Sequence, residues 1–344
     1  MDKSFTPIPS PNKTGIKYID SNIAGYSRAK KGKGFSYQDQ NLHKITNSKI
    51  LARIHSLVIP PNWQEVWICP FAEGHIQATG IDDKGRKQYI YHPKWVDNRD
   101  EHKFELLSIF GKNLEKLRKQ IKKDLNRKDL DCQKVSAIAL NIMDLTSMRS
   151  GNEYYQKHYG SFGLTTLQNK HLSLENNKIS FKYIGKKGVI QEKNIQKKKL
   201  AKLLKELSEL KGKRLFQYLD DQQKVRPLDA IHLNEYLFQV FKKHITCKTF
   251  RTWNACYCCM ESLLSENTPT NQKTRLKIIK NVINSAANEL GNTKTVVTKH
   301  YIHPRIISTY KEGALDSWIM KNRNRSRSRK KKTISDKLLK IISS

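Results

Sequence analysis

Three cations sit where the local pattern gives a side chain a defined direction. Arg149 follows an apolar helix pattern that ends near Met148 and precedes Ser150-Gly151-Asn152, a helix-to-turn junction that aims it towards a cleft. Lys186 lies between Gly185 and Gly188, where the alternating run Ile179 to Ile184 breaks and Val189-Ile190 resumes, so it occupies the tip of a β-hairpin. Arg251 lies at a helix start between Phe250 and Trp253. Such groups are suited to holding phosphate charge, a guanidinium through its planar fork and an ammonium as a point charge. There is no Walker-type glycine loop, no G-x-S-x-G elbow, no H-E-x-x-H and no dense carboxylate set. Metal-driven and ATP-driven mechanisms are therefore disfavoured, and if the protein does chemistry on nucleic acid it must handle the phosphate charge with side-chain cations. Taken singly, each of the three is one of 65 Lys and Arg residues and reads as an ordinary solvated or phosphate-gripping side chain. Composition and periodicity do not choose among them.

The elements that must position these residues fall into two regions. Up to about Trp95 the chain is rich in Pro, Gly and aromatics, with short β-prone runs at Glu65 to Cys69 and Gln88 to His92 bounded by Pro60-Pro61, Pro70, Gly80, Gly85 and Pro93. From Glu101 the period changes: Phe104, Leu107, Phe110, Leu114, Leu117, Ile121 and Leu125 form one helical stripe. Similar stripes follow at Val135 to Met143, Leu200 to Leu210, Leu237 to Phe241 and Leu276 to Leu290, the last closed by Gly291. The pattern predicts an α+β protein, with a small β-rich domain at 1–98, a larger and mainly helical domain carrying a β-hairpin at 99–320, and a basic tail at 321–344. Lys321 to Lys332 holds eight basic residues in twelve and no acid, and is expected to be a mobile tail that grips phosphate without sequence preference.

The 344 residues carry 65 Lys and Arg against 31 Asp and Glu, a formal charge of +34. An excess of this size argues for a polyanionic partner, nucleic acid before an anionic membrane surface, and against a small-metabolite enzyme. At 37% hydrophobic the chain can still bury a sizeable core. No run approaches the roughly 18 to 20 apolar residues of a membrane span, and Met1 to Thr14 lacks the apolar core of a signal peptide. A cytoplasmic or nucleoid-associated protein is the simplest expectation. The six cysteines are too sparse for a disulfide scaffold, and Cys256, Cys258 and Cys259 lack the second ligand pair of a zinc site, so they read as small core residues on a helix.

Read in order, these segments resemble the type IB DNA topoisomerases of the small poxvirus and bacterial kind, closer to the bacterial members. The resemblance runs from Gly32 to Tyr310. In the front domain it rests on Gly32-Lys33-Gly34-Phe35-Ser36-Tyr37, Ile59-Pro60-Pro61-Asn62-Trp63, Val66-Trp67-Ile68-Cys69-Pro70, and Gly74 to Gly80 with Gly85 to Pro93. In the helical domain Arg149-Ser150-Gly151-Asn152-Glu153 with Gly160-Ser161-Phe162-Gly163-Leu164-Thr165-Thr166-Leu167 resembles the family's first arginine motif. Phe181-Lys182-Tyr183-Ile184-Gly185-Lys186 resembles its hairpin lysine. Thr246-Cys247-Lys248-Thr249-Phe250-Arg251-Thr252-Trp253-Asn254 resembles its second arginine motif, and Leu290-Gly291-Asn292 with Lys299-His300-Tyr301-Ile302-His303-Pro304-Arg305 its tyrosine motif.

The resemblance implies that Tyr301 attacks the scissile phosphate to give a 3′-phosphotyrosyl link and a 5′-hydroxyl, that Arg149 and Arg251 clamp the phosphate oxygens, and that Lys186 protonates the leaving oxygen with Arg149 assisting. Rotation of the freed strand and the reverse attack complete relaxation with no cofactor, ATP or metal. The physical logic fits. A phenol with a pKa of about 10 needs nearby positive charge to ionise, and a fixed donor on the developing phosphorane charge contributes about 3 kcal/mol. Asn292 takes the place of a His in poxvirus and eukaryotic members. It donates a hydrogen bond but carries no charge, and a helix-capping role is the alternative. By the same resemblance Gln88, Tyr89, Tyr91, Tyr155 and Lys248 contact DNA. Asn152 stands where the poxvirus pattern has a lysine, so the tight cleavage-site preference of those enzymes is not implied.

Tyr310 is the rival nucleophile, outside the matched motif, while His300 and His303 flank Tyr301 too closely to replace Asn292 and are expected to contact DNA or support structure. The implied partner is duplex DNA, preferably supercoiled, bound by a monomer that is nucleoid-associated, or in a virion or viral factory if viral. Two other functions compete. A tyrosine recombinase shares the Arg, Lys, Arg, Tyr constellation but usually has His where Lys248 stands, and a DNA-packaging protein that has lost the chemistry would still suit the charge.

Overall fold

The computed structural model describes residues 15–32 and 34–343. It divides into two compact units, Met1–Lys103 and Phe104–Ser344.

In the first unit, β1 (Tyr26–Lys31), β2 (Gly34–Gln38), β3 (Gln64–Ile68), β4 (Ile76–Ile81) and β5 (Lys87–Tyr91) form an antiparallel sheet in the order β2-β1-β3-β4-β5, with helix α1 (Ser48–Ser56) inserted after β2. Tyr37, Ile45, Ile54, Val66, Ile68 and Ala78 make its core. The Pro60-Pro61 segment is tied down by Arg28, which donates to Pro60 O at 3.0 Å and Trp63 O at 2.6 Å. Trp63 in turn covers Gly80, where a Cβ would lie 2.7 Å from the indole, so a side chain at that strand position would displace the loop. Gln77 is buried in β4 but satisfied, donating to Gly74 O at 2.7 Å and accepting from Arg53 at 2.8 Å.

The second unit begins within α2 (Pro93–Asp124) and continues through α3 (Cys132–Thr146), α4 (Glu153–Tyr159), the antiparallel strands β6 (Leu172–Glu175), β7 (Lys178–Ile184) and β8 (Ile190–Gln196), and α5 (Lys198–Ser208). A two-stranded ribbon, β9 (Gln217–Leu219) and β10 (Val225–Pro227), precedes α6 (Ala230–Phe241), α7 (Cys247–Ser265), α8 (Gln272–Leu290), α9 (Lys294–His300), α10 (Pro304–Lys311), α11 (Asp316–Asn322) and α12 (Arg327–Ser343). The α+β class read from the pattern holds. Among the described residues no helix is long and apolar enough to cross a membrane.

The stripe read on α2 is the buried one: Leu107, Phe110, Leu114, Leu117, Ile121 and Leu125 all enter the core. Each such burial contributes roughly 1.5–3 kcal/mol, against about 0–1 kcal/mol for an exposed ion pair. Apolar spacing, not the abundant charge, therefore docks these helices. Leu276, counted in the α8 stripe, is instead 43% exposed, because it lies near the start of the helix, ahead of the buried run from Ile278 to Leu290.

The segment Lys321 to Lys332 differs from the mobile tail expected of it. It ends α11 and begins α12, whose later residues Ile334, Leu338, Ile341 and Ile342 are buried in the main core. Those four positions carry a helical apolar spacing that the neighbouring charge run obscured, and burying them holds the basic first half of α12 in a helix.

Gly111 shows how closely α2 and α7 are fitted. It interrupts a 32-residue helix, yet a Cβ there would lie 2.2 Å from Trp253 Cζ3 and 2.7 Å from Leu339. Gly111→Ala should therefore destabilise the protein despite the better helix propensity of Ala, which is worth about 1 kcal/mol. Overpacking of about 1–3 kcal/mol corresponds to a Tm lower by roughly 2–10 °C. An unchanged or raised Tm in thermal denaturation would show that the indole yields freely.

Candidate active site

Arg149 reaches its position through a sharp chain reversal. Helix α3 ends at Ser147, a left-handed residue with φ 57° whose N–H bonds Met143 O, and two residues after Arg149 the chain turns at Gly151, φ 108°. The segment then lies against Gly163-Leu164-Thr165, with Leu164 N donating to Arg149 O at 2.8 Å and Thr165 N to Ser150 O at 2.6 Å. A Cβ on Gly163 would lie 2.6 Å from Gly151 Cα and 2.9 Å from Arg149 O. This explains physically why the two glycine-containing segments occur together: the backbones touch.

Arg251, in the second turn of α7, is 4% exposed. One Nη donates to Ser147 O at the end of α3 and the other to Leu290 O at the end of α8, the latter at 2.9 Å. The cation thus occupies the negative ends of two helix dipoles and satisfies carbonyls the helices leave open. Its Nε is buried without a hydrogen-bond partner among the described residues.

Asn292 follows Gly291, the left-handed cap of α8 at φ 59°. Gly291 does the capping, and the Asn292 side chain turns instead to Arg149, whose Nη2 donates to Oδ1 at 2.6 Å. A guanidinium only donates, so the amide orientation is determined, and Nδ2 remains a buried donor without a partner among the described residues.

Tyr301 follows α9 directly, its N–H bonded to Val297 O at 2.9 Å. The turn after it is held by a residue the sequence reading assigned only to the core. Cys256 Sγ, on α7, donates to Tyr301 O at 3.3 Å and accepts from His303 N at 3.3 Å. Arg251 Cζ lies 5.3 Å from the centroid of the Tyr301 ring. Burial opposes ionisation of this phenol, but the positive charge of Arg251, with Lys248 and Arg149 adding, outweighs it and moves the pKa below the ordinary tyrosine value. Tyr183, buried on β7 within the field of the same two arginines, goes the other way: desolvation dominates and pushes it up to about 12. Arg149 is itself destabilised as a cation, first by burial and then by Arg251.

The other residues singled out are dispersed. Lys186 is exposed on the turn between β7 and β8, where Gly185 N bonds Val189 O at 2.8 Å. Lys248 is exposed one turn ahead of Arg251. Tyr155 is 48% exposed on α4 beside Tyr154 and Tyr159. In the first unit Tyr89 and Tyr91 stack on one face of β5 with ring centroids 5.9 Å apart, while Gln88 donates to Asp82 at 2.9 Å. Tyr310 is 1% exposed, packed 5.0 Å from Arg275, and burial raises its pKa. His303 caps α10, accepting from Arg305 N at 3.2 Å, and packs on Phe104, and His300 is half-buried at the end of α9. Cys256 and Cys259 are buried and Cys258 half-buried on α7.

Arg149, Arg251, Asn292 and Tyr301 therefore converge, with two donors left open and a phenol whose pKa lies below the ordinary tyrosine value. Such an arrangement can hold the non-bridging oxygens of a phosphodiester while a tyrosine oxygen attacks phosphorus, the chemistry of enzymes that cut and rejoin DNA through a tyrosine. The family model described as "Eukaryotic DNA topoisomerase I, catalytic core" matches residues 87–330, and that described as "Bacterial DNA topoisomerase IB, N-terminal domain" matches residues 34–82. The DNA topoisomerase 1B of Acanthamoeba polyphaga mimivirus is 32% identical over 295 residues, covering 84% of this chain and 88% of that one. The DNA topoisomerase I of monkeypox virus is 23% identical over 236 residues, covering 68% and 72%. Among solved structures, the XerH site-specific recombinase in a post-cleavage complex aligns over 58% of this chain and 51% of its own with 16% identity and a TM-score of 0.38, too slight a likeness to carry a functional inference. The chain belongs to the type IB DNA topoisomerase family. It is accordingly an enzyme acting on DNA, which it relaxes by transient cleavage and rejoining of one strand.

The electrostatics of Tyr301 make a pH prediction. Lys248→Ala removes one of the charges that favour the phenolate, so the rising limb of single-turnover cleavage against pH should move to higher pH. A limb that stays in place would show that the Lys248 charge does not reach the phenol.

Proposed function

We propose that Tyr301 is the nucleophile of relaxation, and that Arg149, Arg251, Asn292 and Lys186 complete the site. The observation that carries this reading is the convergence of Arg149, Asn292 and Arg251 beside Tyr301, with Arg251 5.3 Å from its ring. The charge of the arginines lowers the pKa of the Tyr301 phenol, whereas burial raises that of Tyr183.

In the forward step the Tyr301 oxygen, its proton lost to solvent, attacks phosphorus, and the bond from phosphorus to the 5′-oxygen breaks. Charge developing on the non-bridging oxygens is met by Arg149, by Arg251 through its open Nε, and by Nδ2 of Asn292. Lys186 Nζ delivers a proton to the departing 5′-oxygen, and its exposed hairpin tip gives it the freedom to reach DNA. The 5′-hydroxyl later attacks the phosphotyrosyl phosphorus, returns its proton to the lysine and expels the phenolate. Bond energy is conserved in the covalent link.

Gln88, Tyr89, Tyr91, Tyr155 and Lys248 are proposed to contact the duplex. Arg149, Arg251, Asn292 and Tyr301 converge within one chain, and a monomer is the proposed active form. Supercoiled DNA is the proposed preferred substrate, in the cytoplasm at the nucleoid, or in a virion or viral factory if the protein is viral.

Plasmid relaxation in EDTA without ATP tests the assignment. Wild type should relax the plasmid, Tyr301→Phe should not, and Arg251→Ala should cleave about 10²–10³-fold more slowly. Relaxation by Tyr301→Phe would remove Tyr301 as nucleophile.

A further inference from the structure

The inward row of β8 carries a cation where an apolar residue would be expected. Gln191 and Ile195 on that row are buried and Lys193 between them is 17% exposed, while Ile190, Glu192 and Asn194 face solvent. Lys193 Nζ donates to Glu289 O at 2.6 Å and lies 3.8 Å from the Glu289 carboxylate. Glu289 O is one of the carbonyls left open at the end of α8, and the next, Leu290 O, accepts from Arg251 at 2.9 Å. Two cations therefore bind consecutive carbonyls of one helix end, where the dipole favours them.

Two residues along the strand, Gln191 closes the same junction. A Cβ on Gly291 would lie 2.5 Å from Gln191 Oε1, and one on Gly185 2.7 Å from Gln191 Cγ. The Gln191 side chain is thus wedged between the base of the Lys186 turn and the glycine that precedes Asn292. Gln191 pairs with Tyr183 and Ile190 with Ile184, so the free part of the hairpin is confined to the turn that carries Lys186.

We infer that Lys193 is a positioning residue for the leaving-group proton: by fixing β8 to the end of α8, it holds the Lys186 hairpin in register with Asn292 and Arg251, and Gln191 supports it. The inference rests on Lys186 being the proton donor. Loss of the anchor should misplace the hairpin tip without altering the arginine clamp, and an error of about 1 Å at a reacting group costs up to about 10²-fold in rate.

The test compares single-turnover cleavage of ordinary duplex DNA with that of the same duplex carrying sulfur in place of the 5′-bridging oxygen at the scissile phosphate. A thiolate leaves without a proton, so a defect in proton delivery should disappear. Lys193→Met should cleave ordinary DNA about 10- to 100-fold more slowly, bind it as tightly as wild type, and approach the wild-type rate on the sulfur substrate. Lys193→Arg, which can still donate to Glu289 O, should retain most activity, and Gln191→Ala should show a smaller defect of the same kind. Equal slowing of Lys193→Met and Gln191→Ala on both substrates would overturn the inference and leave them as supports of the fold. Lys186→Ala is the control. If its own defect is not relieved by sulfur, the assignment of the proton donor fails; if it is relieved and that of Lys193→Met is not, only the role of Lys193 fails.

Discussion

The guanidinium of Arg251 is buried between the backbone carbonyls of Ser147 and Leu290, and among the described residues it has no ion pair with a carboxylate. Removing a cation from water without a compensating anion costs several kcal/mol, and the structure offsets this with helix dipoles and carbonyls instead of an acid. The choice has a functional consequence. A carboxylate would neutralise the site and compete with phosphate, whereas carbonyls hold the side chain and leave its charge available. Arg149, half-buried and bonded to the neutral amide of Asn292, follows the same rule. The positive field of the two arginines is what a phosphodiester would meet and what lowers the pKa of Tyr301.

Much of the surrounding architecture serves to bring the ends of α3, α7, α8 and α9 to one place. Trp253, two residues after Arg251, needs the missing side chain of Gly111 to seat α7 against α2. Arg149 turns towards the site because Gly151 and Gly163 allow two backbones to touch. The Cys256 thiol joins Tyr301 O to His303 N, so the helix that carries Arg251 also fixes the turn that carries the tyrosine. The elements that carry the charged groups are thereby seated by close contacts, and the guanidinium of Arg251 is then fixed on backbone carbonyls.

The α2 stripe and the hairpin were legible because a helix repeats near 3.6 residues and a strand at two, and both leave apolar marks. The two arginines and the tyrosine were legible through ordered motifs, since their types alone are common in so basic a chain. What escaped has a physical reason in each case. Lys193 looks like any of the 65 cations until its strand face is known. Cys256 behaves as a small apolar residue in composition, and its two hydrogen bonds depend on where α9 ends. The basic run from Lys321 dominated the reading of α12, although Ile334, Leu338, Ile341 and Ile342 marked a buried helical face.

The most direct measurement of the central claim is the chemical identity of the covalent link. Protein trapped on supercoiled DNA by denaturant in EDTA, digested with nuclease and protease, would be read by mass spectrometry for the peptide that retains a nucleotide on tyrosine. The adduct is expected on Tyr301. An adduct on Tyr183 or Tyr310, or relaxation with no adduct on any tyrosine, would contradict that assignment.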